Sequence, residues 1–371
     1  MTIATTTAAS NEPTAAPATD ETGSLTDRLF ESTIGALEMI SVHLGVQLGL
    51  YAELAAHERL TEGELAAAAG IAPRYAREWL EQQAVAGFVT VDDPQAGPVE
   101  RRYALPIEHR AALVDAEHGD HVAPFAAMIV GIANVLDEVI DAYRTGGGVP
   151  YVHYGSHFRH GQGGINRPAF SDDLVTAWLP ATDGVVDKLA AGGRVADVGC
   201  GHGWSTIAMQ RAWPQADVIG IDPDAPSIAD ARANAEVADV DVHFAATTID
   251  ASAELGPFDV VTVLEALHDM AQPAEVLASV RRCLADDGIV VIADEAVSET
   301  FVAPGDELER MMYGWSVSHC LPAAMAEQPS AAIGTAIRPA TVAELATEAG
   351  FARCEVVDVD GGFFRIYRLS I

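Results

Sequence analysis

Three glycines spaced two residues apart follow a short apolar run in "RVADVGCGHGWST", at Gly199, Gly201 and Gly203. Glycine tolerates positive φ angles and lets a ligand approach the main chain, and open α/β sheets bind ligands where such turns follow their strands. A dinucleotide fingerprint needs its third glycine one residue later, where this chain has Trp204. The spacing therefore indicates a ligand-binding turn and disfavours a nicotinamide-dependent oxidoreductase, which we keep as the weakest alternative.

An acidic residue ends the next apolar run, at Asp222 in "VIGIDPD". A carboxylate after the second strand of such a sheet can accept hydrogen bonds from both hydroxyl groups of a ribose. Together, the glycine turn and this carboxylate favour a ligand of the adenosine type.

Two histidines are candidates for proton transfer or substrate contact. His268, in "LEALHDM", follows the fourth predicted strand, and an ordinary pKa of about 6.5 suits a general base at neutral pH. It can equally be a structural histidine of its loop, and its neighbours Glu265 and Asp269 can orient the imidazole or bind a cofactor amine. His319, in "YGWSVSHCLP", can line a pocket for a flat or apolar molecule or simply pack in the core.

The run "HYGSHFRH" is a candidate metal site, because His153, His157 and His160 have helical spacing. Gly155 and the glycines that follow it make a helix doubtful, and this run contains no carboxylate. We therefore predict no metal site.

The elements that must position these residues fall into two units, as expected for 371 residues. From Arg194 onward, apolar strand-like runs alternate with helical patterns, and two adjacent strands end the chain. This order predicts an α/β fold with a mostly parallel, doubly wound sheet and an antiparallel edge strand. Residues 24–110 read as three helices and a hairpin, the order of a winged helix, with capping pairs Ser24/Asp27 and Thr61/Glu64.

The winged helix raises the alternative of a DNA-binding regulator. The chain has a formal net charge of -33, and the predicted recognition helix offers only Arg74 and Arg77 against two glutamates. Apolar residues such as Leu37 exceed what so small a unit needs to bury, so we expect a homodimer through this domain and no nucleic acid partner.

The stretches "DVGCGHG", "GIDPD" and "FDVVTVLEALHDM" resemble successive motifs of class I S-adenosylmethionine-dependent methyltransferases. The winged helix, the "GVPYVHYG" segment and the region before "CLP" are similar to a bacterial subgroup with a winged-helix dimerisation domain. The resemblance covers about residues 25–371. It implies a Rossmann-like, seven-stranded sheet preceded by a mainly helical domain.

The resemblance also implies domain limits and site residues. The dimerisation domain spans 24–110, a helical linker and cofactor-covering loop 111–170, and the S-adenosylmethionine-binding domain 171–371, with a lid insertion at 296–340. The implied cofactor-binding residues are Asp197 and the three glycines for the methionine end, Asp222 and Pro223 for the ribose, Thr248, Ile249 or Asp250 for the adenine, Leu264 and Glu265 after the fourth strand, and Tyr154 and Phe158 as a cover.

We therefore expect a methyltransferase that acts on a small molecule, with a hydroxyl group as the favoured acceptor. His268 and His319 are the candidate catalytic residues. The main alternative is a regulator that senses the cofactor and binds DNA. Residues 1–23 are expected to be a disordered tail, no membrane-spanning run is apparent, and four scattered cysteines favour a reduced, cytoplasmic protein.

Overall fold

The computed structural model describes residues 24–371, so the predicted tail at 1–23 lies outside the described residues. The N-terminal unit contains four helices and a short hairpin: α1 (Leu25–Gln47), α2 (Leu50–Ala56), α3 (Glu62–Ala69), α4 (Pro73–Val85), β1 (Thr90–Val91) and β2 (Tyr103–Ala104). Both predicted capping boxes are present, at Ser24/Asp27 and Thr61/Glu64. The unit has its own core, built on buried residues such as Trp79 and Leu80.

Most of α1 is exposed along its apolar face. Leu29, Phe30 and Leu37 are 60%, 66% and 60% exposed. Among residues 24–371, α1 is the one helix long and apolar enough to cross a membrane by length and composition, but a helix covered by another protein surface meets the same test. An exposed apolar face of this kind is typical of an interaction surface.

Helices connect the two units: α5 (Arg110–Leu113), α6 (Pro124–Asn134), α7 (Leu136–Thr145), α8 (Gly155–Pro168), α9 (Leu179–Ala181) and α10 (Val185–Ala190). A π-helical segment, Ala169–Trp178, continues α8. The doubt about a helix in this glycine-rich stretch was therefore wrong. The glycines are needed because α8 packs closely on α6: a Cβ atom at Gly161 would lie 2.7 Å from Met128 Cγ and 2.9 Å from the Pro124 carbonyl oxygen.

The C-terminal unit is built on one sheet. Within residues 24–371 its seven strands are β3 (Arg194–Val198), β4 (Asp217–Asp222), β5 (His243–Ala246), β6 (Phe258–Leu264), β7 (Leu284–Glu295), β8 (Arg353–Val356) and β9 (Phe364–Ser370). Their order is β5-β4-β3-β6-β7-β9-β8, and β9 runs antiparallel to both of its neighbours. The predicted fold class is confirmed.

Helices that pack on the sheet include α11 (Trp204–Ala212), α12 (Ala225–Ala238), α13 (Pro273–Cys283) and α16 (Pro339–Glu348). Two further helices, α14 (Glu307–Trp315) and α15 (Leu321–Ala324), lie in the segment between β7 and α16. The strand order turns back at β3, which pairs with β4 on one side and β6 on the other. Ligands bind in the crevice at the carboxyl ends of the strands at such a point. The glycine turn, Asp222 and His268 all follow strands that meet there.

Candidate active site

A cleft of about 1140 Å³ opens at the carboxyl ends of β3, β4 and β6. Nine of the predicted cofactor-binding residues line it: Gly199, Gly201, Asp222, Pro223, Thr248, Ile249, Asp250, Leu264 and Glu265. They come from four separate segments of the chain, so the sheet topology brings them together. Their contact with a cofactor remains a prediction.

The glycine turn forms one wall of the cleft. Gly199 and Gly201 have φ angles of +75° and +49°, a region that side chains other than glycine rarely adopt. A Cβ atom on Gly199 would lie 2.7 Å from the Ala266 Cβ atom, whereas one on Gly201 would have no heavy atom within 4 Å. The main chain at Gly201 therefore faces open space, where a ligand can approach it.

Gly203 has another task. It precedes α11 with a φ angle of +77°, and a Cβ atom there would lie 2.7 Å from the Phe244 ring. The absence of a side chain at Gly203 therefore allows α11 to approach the Phe244 ring of β5, the strand beside β4. Gly203 itself lies behind the cleft wall. The structure thus gives Gly203 a packing role, and its predicted contact with the cofactor stays a prediction.

Asp222 is held in a fixed orientation at the edge of the turn. Its Oδ2 atom accepts from the Gly201 N–H group at 2.9 Å, and its Oδ1 atom accepts from the Asp224 N–H group at 2.8 Å. Burial raises the pKa of Asp222 to about 6. Each carboxylate oxygen keeps a further lone pair, which fits acceptance from a pair of adjacent hydroxyl groups.

Asp197 is buried beneath the glycine turn. Its side chain is 1% exposed. Its oxygens accept from the hydroxyl groups of Ser205, Thr206 and Thr262 at 2.6, 2.6 and 2.7 Å. The carboxylate thus joins β3 to β6 and α11 and supports the turn from behind, and its predicted contact with the cofactor stays a prediction.

The end of the cleft predicted to hold the adenine is lined by Thr248, Ile249 and Asp250 together. The structure therefore leaves the choice among these three residues open. Ser279 and Arg282 of α13 line the cleft as well and had not been singled out in the sequence.

His268 forms a buried dyad with Asp294, which ends β7. Its Nδ1 atom lies 2.7 Å from the Asp294 Oδ1 atom, and both side chains are 1% exposed or less. Its Nε2 atom lies 3.3 Å from the Asp269 Oδ1 atom, and Asp269 lines the cleft. Burial lowers the pKa of His268, but these two carboxylates outweigh it and raise that pKa well above its ordinary value.

Glu265 and Glu295 add two more carboxyl groups around the dyad. Glu265 lines the cleft, accepts from the Asn166 amide and has a φ angle of +49°, a strained value for a residue other than glycine. Burial raises the pKa of Glu265 to about 8 and that of Glu295 well above its ordinary value. Glu265 is therefore largely protonated at neutral pH in the empty cleft, and a cationic ligand beside it would favour its ionised form.

Tyr154, Phe158 and His319 form an aromatic cluster behind the cleft. The His319 ring stacks on Phe158 with a centroid distance of 3.9 Å and meets the Tyr154 ring edge-on at 4.5 Å. All three side chains are 1% exposed, and burial lowers the pKa of His319 to about 4. The structure thus shows Tyr154 and Phe158 in a packed core, and both their predicted role as a cofactor cover and a catalytic role for His319 stay predictions without support from these positions.

The segment around α8 does cover part of the cleft, through other residues. Tyr151, Gln162, Gly163 and Asn166 line it. Sequence reasoning missed them because only the packing of α8 on α6 decides which face of α8 points to the cleft.

The fold and the site match known proteins. Residues 189–350 match a family described as a methyltransferase domain, and residues 35–115 match the Rv2258c-like winged HTH domain. The ubiquinone biosynthesis O-methyltransferase of Hahella chejuensis is 41% identical over 101 residues, which are 26% of this chain and 42% of that protein. The chain thus spans less than half of the length of this curated relative.

Solved structures match over nearly the whole chain. Human N-acetylserotonin methyltransferase, solved in complex with S-adenosylmethionine, has a TM-score of 0.69 at 15% identity, covering 94% of this chain and 99% of that one. A mitomycin 7-O-methyltransferase has a TM-score of 0.67 at 17% identity, covering 93% and 97%. At sequence identities of 15% and 17%, these two matches show a shared fold and no more.

The seven-stranded sheet with β9 antiparallel near its edge, together with the matches to solved methyltransferases, shows the α/β methyltransferase fold. The chain carries an S-adenosylmethionine-dependent methyltransferase domain preceded by an Rv2258c-like winged helix-turn-helix domain. The class and the cofactor predicted from the sequence are confirmed, whereas the predicted limits at 110 and 170 stay predictions.

Proposed function

We propose that this chain is an O-methyltransferase that moves a methyl group from S-adenosylmethionine to a hydroxyl group of a small molecule. The observation that carries the proposal is the buried dyad of His268 and Asp294 beside the cofactor cleft. Methyl transfer to a hydroxyl group requires removal of a proton, and a histidine oriented by a carboxylate is suited to that task. The curated relative and both solved relatives named above are methyltransferases, two of them named as O-methyltransferases.

The cleft fits the cofactor at several points. Asp222 offers two fixed acceptors to the ribose hydroxyl groups, and the Gly201 main chain faces open space beside it. The carboxyl groups of Glu265 and Asp269 lie on the wall and favour the cationic amine and sulfonium. When bound, the cofactor supplies an electrophilic methyl group on a positively charged sulfur.

We propose that the Nε2 atom of His268 takes the acceptor proton while the Nδ1–H group donates to Asp294. Two carboxylates favour the protonated imidazole in the empty cleft. A cation bound in the cleft opposes them and favours the neutral imidazole, which is the form that acts as a base. Asp269 lies between this nitrogen and the cleft, so its side chain must yield to the acceptor or pass the proton on.

The acceptor site lies between α8 and α15. Tyr151, Met270, Ala323 and Ala324 line this part of the cleft and offer mostly apolar surface. Such walls suit a flat, apolar molecule with few polar groups. This supports an aromatic or quinone-like alcohol as the acceptor class.

We further propose a homodimer through α1, whose exposed apolar face continues the folded N-terminal core. The DNA-binding alternative lacks a suitable surface on α4. Arg74 pairs with Glu78 there, Arg77 pairs with the buried Glu62, and the chain as a whole is strongly acidic. Phosphate contacts need unpaired cations.

The test is a methyl transfer assay on the full chain with S-adenosylmethionine labelled in its methyl group and a panel of phenols and hydroquinones. His268→Gln should lower kcat by about 10²- to 10⁴-fold, as expected for loss of a general base. Affinity for S-adenosylhomocysteine should change by less than about twofold, because His268 lies behind the lining residues. Transfer to amines but not to hydroxyl groups, or wild-type kcat in His268→Gln, would contradict the proposal.

A further inference from the structure

Three potential metal ligands from separate elements meet beside the glycine turn. They are His160 on α8, His202 within the turn and Asp230 on α12. The Asp230 Oδ2 atom lies 3.2 Å from the His160 Nε2 atom and 3.5 Å from the His202 Nε2 atom. All three atoms lie within 4.8 Å of one another. Other clusters of this kind among residues 24–371 contain His268 and belong to the site described above.

These separations fit the ligand set of a tetrahedral ion. Zinc binds imidazole nitrogens and carboxylate oxygens at about 2.0–2.2 Å, and two ligands on a tetrahedron of that size are about 3.3–3.5 Å apart. The two N···O distances of 3.2 and 3.5 Å lie within or close to this range. The three atoms could therefore hold an ion with little rearrangement.

His202 gives an independent sign that a ligand is expected. Its side chain is 9% exposed, and within the described residues its Nε2 atom has no hydrogen-bond partner. The ring is confined by α8, because a Cβ atom on Gly163 would lie 2.5 Å from its Cγ and Nδ1 atoms. Burial lowers the pKa of His202 to about 4, so the imidazole is neutral at pH 7, the form that binds metals.

We propose that His160, His202 and Asp230 form a binding site for a divalent transition metal ion of the zinc type. Two imidazoles and one carboxylate suit such an ion, whereas magnesium and calcium prefer oxygen ligands. Three protein ligands leave one position open for water. The nearby Arg159, whose Nε atom lies 3.3 Å from the same Asp230 oxygen, competes with the ion for that carboxylate.

The site has a consequence for the cleft. His202 lines the cleft, and α8 also lines it through Gln162 and Asn166. A bound ion would tie α8 to the glycine turn and to α12, the helix that follows Asp222 at the end of β4. Because coupling between two sites is reciprocal, zinc should tighten the binding of S-adenosylhomocysteine, and that compound should tighten the binding of zinc.

The test is calorimetric titration of the full chain, without a polyhistidine tag, with zinc chloride, and cobalt chloride as a spectroscopic probe. Wild type should bind one ion per chain, and cobalt should give the intense visible absorption of a tetrahedral site. His160→Gln and Asp230→Asn should each weaken zinc binding at least tenfold. Arg159→Gln removes the competing cation and should bind zinc at least as tightly as wild type.

His153→Gln is the matched control, because His153 also pairs with a carboxylate, Glu138, at 2.7 Å but has no third ligand in the cluster. It should leave zinc affinity unchanged. The His160 side chain is 56% exposed, so its substitution leaves the core intact, and thermal unfolding without metal checks this. Absence of a one-to-one site, or wild-type affinity in His160→Gln, would overturn the proposal whether or not methyl transfer is observed.

Discussion

Replacing Asp222 by alanine perturbs the cofactor site at its best-defined point. The carboxylate is oriented by the N–H groups of Gly201 and Asp224, at 2.9 and 2.8 Å, and both of its oxygens keep lone pairs for a ligand. Asp222→Ala removes two acceptors that are fixed before the ligand binds.

The expected loss follows from the nature of these hydrogen bonds. A hydrogen bond to a charged group contributes about 1.5–3 kcal/mol. Loss of one such bond to the ribose weakens binding by about tenfold or more, and loss of two by about a hundredfold. The pKa of Asp222 is raised to about 6, so the carboxylate is ionised at pH 7.5. The expected loss of binding for a charged acceptor therefore applies at that pH.

The assay is calorimetric titration with S-adenosylhomocysteine at pH 7.5. Asp217→Ala is the matched control, because Asp217 begins the same strand, β4, and its side chain is 58% exposed at the opposite end. The control should bind as wild type does. An affinity for Asp222→Ala within twofold of wild type, in protein with an unchanged unfolding curve, would refute the role assigned to the carboxylate.

Three further changes test the packing, the electrostatics and the assembly. Gly161→Ala should lower the free energy of unfolding by about 1–3 kcal/mol, because the new methyl group meets Met128. Gly63→Ala on α3, with open space around it, is the control and should not destabilise the chain. Equal melting curves for the two variants would contradict this. The pKa of Glu265 is raised by burial to about 8, so the folded state keeps a proton that the unfolded state releases near pH 4.5. Wild-type stability should therefore fall as pH rises through about 4.5 to 8, and the slope should be shallower in Glu265→Gln; parallel slopes in thermal unfolding would count against it. Leu37→Glu on the exposed face of α1 should convert a dimer to a monomer in sedimentation velocity, and a monomeric wild type would disprove the assembly.

Much of the fold could be predicted because its signals are local. The strands β3, β4 and β6 are short apolar runs bounded at their carboxyl ends by Gly199, Asp222 and Glu265, so the sequence alone locates them. The capping boxes at the starts of α1 and α3 depend on residues three apart, and both are present. The carboxyl ends of parallel strands share one edge, which explains why Asp222 and Glu265 were correctly expected near the glycine turn.

The missed features depend on packing between distant segments. The glycines of α8 suggested a loop, because glycine is a poor helix former, but they are the residues that let α8 approach α6. The helix then separates the three histidines: His153 pairs with Glu138, His157 meets the His43 ring, and His160 reaches Asp230. No local pattern gives these partners.

The sequence indicated only one of the two residues of the dyad. His268 was singled out, but Asp294 in "VIADE" was not, although β6 and β7 are parallel neighbours. An acidic residue at the end of the next parallel strand was the signal that could have found it. The partners of Asp197 were not visible either: its position beside the glycines predicts ligand contact, and the structure adds three hydroxyl groups that donate to its oxygens.

The measurement that tests the central claim most directly is a crystal structure of the full chain with S-adenosylhomocysteine. We predict that the ribose hydroxyl groups donate to both oxygens of Asp222 and that the adenine lies among Thr248, Ile249 and Asp250. The sulfur atom should then face Asp269 and the His268–Asp294 dyad. A ligand bound elsewhere, or a ribose without contact to Asp222, would contradict the account.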